Sequence, residues 1–78
     1  MMNKENYVNR LEQIMIECKL EGSWSHTTFK RAIEREDLTP CIIDTRTPNA
    51  RKAKRLLREL VNDYLTDYPH AKRPLYSL

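Results

Sequence analysis

Apolar residues recur along this chain at helical spacing, and that periodicity restricts the fold more than any other feature of the sequence. Between Lys4 and Leu20, the residues Tyr7, Leu11, Ile14, Met15 and Cys18 stand at i, i+4, i+7, i+8 and i+11, the spacing of one helix face. Val8 and Ile16 flank the stripe, Asn3 offers an N-cap, and Gly22 supplies a left-handed stop beyond it. Phe29, Ala32 and Ile33 form a second stripe that predicts a helix from His26 to about Glu36. Ser25 can cap it, and Trp24 and Phe29 can clasp as a hydrophobic staple. The third helix opens at Thr47-Pro48, an N-cap with proline at the first helical position, and runs to about Asp67. Ala50, Ala53, Leu57, Leu60, Val61, Tyr64 and Tyr68 line its inner face, widened by Leu56 and Leu65, and make this longest helix the expected spine of the core.

The fold expected is therefore all-α, a compact three-helix domain with helices near 4–20, 26–36 and 48–67. They pack around Leu11, Ile14, Met15, Phe29, Ile33, Leu57, Leu60, Val61 and Tyr64. Between the second and third helices, Leu38-Thr39-Pro40-Cys41-Ile42-Ile43 fits a short helical turn near 40–44 or a short buried strand. With no partner strand in view, the helical turn is preferred. Pro69 ends the third helix and Pro74 keeps the last residues extended, as a docking strap or a disordered tail. A chain of 78 residues has room for a single domain, here residues 1–68 with 69–78 as the tail.

Composition excludes several functions. The chain is 32% charged and has no apolar run near the roughly 18 residues of a membrane span, so it is expected to be complete, cytoplasmic and without a membrane. Its one glycine, Gly22, cannot build a phosphate-cradling loop, which needs several. Cys18, Cys41, His26 and His70 form no close couple of the kind a structural zinc requires, so no metal and no cofactor are expected, and both cysteines read as free buried thiols. Glu59, Asp63 and Asp67 are one face of one helix, with no opposing carboxylate and no nucleophile beside a base. An enzyme is not expected.

Charge is distributed unevenly. Residues 1–39 carry six basic and seven acidic side chains, and residues 40–78 carry eight basic and four acidic. Arg46, Arg51, Lys52, Lys54, Arg55 and Arg58 lie in a stretch without an acid, followed by Glu59, Asp63 and Asp67 at i, i+4 and i+8. On one helix this sets cations at the N-terminal end and anions at the C-terminal end, against the macrodipole. Such an inversion is expected where a partner's charge compensates it, and Arg51, Arg55 and Arg58 with Lys54 alongside suit phosphate binding. The alternative is a solvated face whose charges pair with the first helix.

The stretch Trp24-Ser25-His26-Thr27-Thr28-Phe29-Lys30-Arg31 resembles the turn and recognition helix of bacterial helix-turn-helix regulators, with Cys18, Trp24, Phe29 and Ala32 where that family packs its two helices. Gly22 lies one residue earlier than the family's turn glycine, and Lys19 stands where the family holds a small residue. The resemblance implies that Ser25, His26, Thr27, Lys30 and Arg31 face duplex DNA, with Glu34 beside them. A plain helical hairpin capped by Ser25 fits the same residues. Two functions follow as expectations: a small DNA-binding transcription regulator with the basic helix on phosphates, or a protein-binding module such as an inhibitor or accessory subunit. The second would use Trp24, Tyr68 and Tyr76 with the tail as anchors. Either is compatible with a homodimer.

Overall fold

A computed structural model describes residues 3–18, 26–41 and 50–75. The expected caps at 25 and 47 and the start of the third helix at 48 lie outside these residues. Three α-helices account for most of them: α1 (Lys4–Cys18), α2 (His26–Arg35) and α3 (Ala50–Asp67). The Asn3 side chain caps α1 as its position predicts, accepting a hydrogen bond from the Asn6 amide at 3.0 Å.

The second helix, α2, ends at Arg35, beside the expected end near Glu36. Glu36 leaves the helix with φ of 57°, its amide donates to the Ile33 carbonyl, and the Asp37 amide donates to the Ala32 carbonyl at 3.0 Å. This pair of bonds is the Schellman ending, with glutamate at the left-handed position that glycine usually fills. The chain then turns once, the Cys41 amide donating to the Leu38 carbonyl. Of the helical turn expected near 40–44, residues 42–44 lie outside the described range. Asp37 and Lys72 form an isolated parallel bridge, in which the Leu38 amide donates to the Lys72 carbonyl and the Lys72 amide to the Glu36 carbonyl. The segment after Pro69 is thus strapped to the end of α2, and Ala71 is buried.

The core draws on every element. Tyr7, Leu11, Ile14 and Cys18 of α1 meet Phe29, Ala32 and Ile33 of α2 and Ala53, Leu57, Leu60, Val61 and Tyr64 of α3, with Leu38, Cys41 and Ala71 closing one end. Met15 is not among them, contrary to expectation. It lies two turns beyond buried Val8 on the same edge of α1 and is half-buried. The longest helix, α3, buries Ala53, Leu57, Leu60, Val61 and Tyr64 and touches both other helices, through Tyr7 of α1 and Ile33 of α2. Three tyrosines join the helices. Tyr7 meets Tyr64 edge-on at 5.2 Å, Tyr64 and Tyr68 lie 4.8 Å apart, and the Tyr64 hydroxyl donates to the Ile33 carbonyl at 2.7 Å.

Candidate functional site

The contacts of α1 fix the direction of each helix. Lys4, at its start, donates to the Glu34 carbonyl and pairs with Glu36 at the end of α2, so α1 and α2 run antiparallel. The same holds for α3, because Tyr7 reaches Asp63 and Asp67 whereas Glu17 and Leu56 line one groove further along. Helices α2 and α3 therefore point the same way. Their N-terminal ends lie at the pole where α1 finishes, and the Asp37–Lys72 bridge ties their C-terminal ends at the other.

The contact of Lys4 with Glu34 and Glu36 joins the start of α1 to the end of α2.

The N-terminal pole gathers part of the set expected from the sequence. Arg51, Lys52, Arg55 and Arg58 are exposed and Lys54 is half-buried. At 100° per residue Arg51, Arg55 and Arg58 fall within one stripe; Asp63 lies well round from it towards α1, and Glu59, one turn on from Arg55, stands at its edge. Among the described residues Arg51, Lys52, Lys54 and Arg55 make no ion pair, and the first turn of α3 holds no acid. On α2, Thr27 and Arg31 are exposed and His26 is the first helical residue. By helical rise and the Tyr64–Ile33 contact, Thr27 lies about level with Arg58 and Arg51 stands about 10 Å beyond it along the axis. Ser25 and Arg46 lie outside the described residues.

Lys30 goes elsewhere. It lines a groove between α2 and α1 with Lys4, Glu5, Asn9, Glu12 and Glu34, an acid-rich setting that faces away from Arg31. Arg31 instead shares a small cleft with Arg35, a residue that the sequence reading left out of the site. Its i+4 spacing from Arg31 was visible, but the turn that makes a cleft of the two was not.

The acidic half of α3 has internal partners. The Tyr7 hydroxyl donates to the Asp67 carboxylate and lies 3.0 Å from the Asp63 carbonyl, while Arg10 pairs with the Asp63 carboxylate at 3.0 Å. Burial, then the Asp67 carboxylate, raises the Tyr7 hydroxyl well above the usual tyrosine range. Tyr64 is pushed up to about 12, first by burial and then by Glu36. The buried thiol of Cys41 is likewise pushed up to about 12 by burial, with Asp37 adding to the effect, so it is inert near neutrality. Asp37 is held below the usual carboxylate range by hydrogen bonds from the Thr39 hydroxyl and amide, at 2.6 and 3.0 Å.

Among the anchors expected for a protein partner, Tyr68 is engaged within the fold, packed on Tyr64 with the Lys4 ammonium 5.5 Å from its ring centre. Trp24 and Tyr76 lie outside the described residues. No cluster of three or more His, Cys, Asp or Glu able to hold a metal occurs among the described residues, and none of their helices is long and apolar enough to cross a membrane. Comparison with protein-family models, curated proteins and solved structures finds no match.

Proposed function

We propose that this protein is a small, non-enzymatic DNA-binding module that takes hold of the duplex through its phosphates. The N-terminal half of α3 makes the main contact, and the outward side of α2 lies beside it. One observation carries the reading: Arg51 and Arg55 share an exposed stripe without an ion pair among the described residues, whereas Asp63 and Asp67 of the same helix are met by Arg10 and Tyr7 of α1. Cations on one rigid face each displace a counterion when they meet a phosphate, which makes the binding steeply salt-dependent. Thr27, exposed near the start of α2, stands at the same pole and can reach base edges once the phosphates set the register.

The test is a titration of duplex DNA across a range of salt. The intact protein should lose affinity steeply as salt rises, and Arg51→Ala and Arg55→Ala should each reduce the slope by about one on every sequence alike. A flat salt profile in the intact protein removes the reading.

A further inference from the structure

The two sides of α2 carry opposite electrostatic settings. Towards α1, Lys30 shares its groove with Glu5, Glu12 and Glu34, so any cationic field is cancelled there. Away from α1, Thr28, Arg31 and Arg35 fall on one stripe, and the chain after α2 turns back so that Asp37 and Pro40 wall a cleft over buried Ala32. Arg31 and Arg35 are exposed, stand one helical turn apart, and make no ion pair among the described residues. Like charges at that spacing repel, and an anion between them relieves the repulsion.

Two features define what such an anion would be. The cleft is about 210 Å³, below the roughly 300–1,000 Å³ of sites that enclose small molecules, so it suits one small group and not a whole metabolite. Asp37 is the acid that lines it, and its Oδ1 is held by the Thr39 amide and hydroxyl. Lys72 acts on the same carboxylate. Asp37 is thereby fixed and stays ionised without pairing with either arginine, which leaves the cleft one positive charge in excess. Paired guanidinium forks match the oxygens of a phosphate better than point charges do.

We propose that this cleft between α2 and the Leu38–Cys41 turn is a phosphate-group site, gripped by Arg31 and Arg35 beside Thr28. The inference rests on the duplex-binding reading for the source of the group, a backbone phosphate. The resemblance has Arg31 facing duplex DNA, and the cleft gives it a definite part there, holding the strand by a phosphate.

The experiment compares the full chain with Arg31→Ala, Arg35→Ala and the double variant, all at exposed positions whose loss should leave the circular dichroism spectrum unchanged. Affinity for two duplexes of unrelated sequence is measured across salt, and inorganic phosphate is titrated separately against the amide NMR spectrum. Because both arginines share one phosphate, the double variant should reduce the salt slope by about one and not two, equally on both duplexes. Inorganic phosphate should shift the amides of residues 28–35 in the parent and not in the double variant. A change in the ratio of the two affinities with the slope intact makes Arg31 a base reader and overturns the proposal. Parent-like binding by the double variant, while Arg55→Ala weakens binding, overturns the proposal and leaves the duplex reading standing. Phosphate shifts at the cleft in a protein that binds no duplex support the site with free phosphate as its source, and defeat the duplex reading. Neither binding nor shifts defeats both.

Discussion

Replacing Asp67 by lysine separates two causes for the inverted charges of α3. If the macrodipole governs, a cation in the last turn should stabilise the protein by about 0.3–1 kcal/mol. The structure gives the opposite sign. The hydroxyl of Tyr7, a residue only 1% exposed, donates to the Asp67 carboxylate, and a hydrogen bond to a charged group contributes about 1.5–3 kcal/mol. Part of that is recoverable, because the hydroxyl also lies 3.0 Å from the Asp63 carbonyl and can turn to it. A lysine at 67 would in addition lie near the start of α1, where Lys4 already sits over the Tyr68 ring. Set against the dipole gain, the net expectation for Asp67→Lys is a loss of about 1–2 kcal/mol. For a domain of this size that is a fall in Tm of roughly 4–16 °C. Thermal melts of Asp67→Lys, Tyr7→Phe and the double variant decide the matter. The second substitution should cost much less once the first is present, since both remove the same bond. A raised Tm in Asp67→Lys, or strict additivity in the cycle, would show that the tyrosine–aspartate bond does not hold Asp67 in place.

Other expectations follow from the core and from the buried acids. Phe29→Ala and Leu60→Ala, at positions 1% and 0% exposed, should each cost about 2–5 kcal/mol in urea unfolding, and losses below 1 kcal/mol at both would place the core elsewhere. Tyr64→Phe should cost about 1 kcal/mol, since it leaves the Ile33 carbonyl short of a buried donor; an unchanged midpoint would mean that this bond is not made. Alkaline pH should destabilise the fold. Cys41 rises from 9.0 to about 12 and Tyr64 from 10.0 to about 12, and Tyr7 is also raised, so the folded state keeps protons that the unfolded state releases. Their contribution is complete below pH 9 and falls as pH climbs towards 12, by about 1.4 kcal/mol per unit for each group in its window. Urea melts with a flat midpoint from pH 8 to pH 11 would contradict it.

The helices were legible because each stripe is long enough for a 3.6-residue period to stand out, and the caps at Asn3 and around Pro69 bound them. Met15 failed for a reason that period alone cannot supply: an apolar residue on the edge of a stripe is buried only as far as neighbouring elements cover it, and Met15 is half-buried. The sequence left the tail open between a docking strap and a disordered end, and the strap's partner could not be read from it. The Asp37–Lys72 bridge is made of backbone groups, which every residue carries, so no side-chain pattern announces which segments pair. Glu36 in the left-handed region likewise breaks the rule that would have marked the helix end with glycine. At the candidate site the cations of α3 were visible as a run, but Lys30 and Arg31 looked equivalent. Their separation onto opposite sides of α2 depends on where α1 and the Leu38–Cys41 turn lie, and that is tertiary information.

Antiparallel packing also divides the charge inversion into two halves with different explanations. The acids at the C-terminal end of α3 lie beside the N-terminal end of α1, whose positive dipole end, Arg10 and the Tyr7 hydroxyl all favour them. Tertiary structure accounts for that half. At the other pole, the cations of α3 lie alongside the C-terminal end of α1, and its negative dipole end offsets part of their conflict with their own helix. That compensation is diffuse. It lowers the cost of keeping Arg51 and Arg55 exposed without requiring either to commit to a carboxylate, and among the described residues neither does. A cation tolerated by the fold but not paired within it remains available to a phosphate outside it. Arg51→Glu therefore separates the two halves: it should gain at most a few tenths of a kcal/mol, because α1 has already reduced the dipole conflict, and it should still weaken duplex binding at low salt.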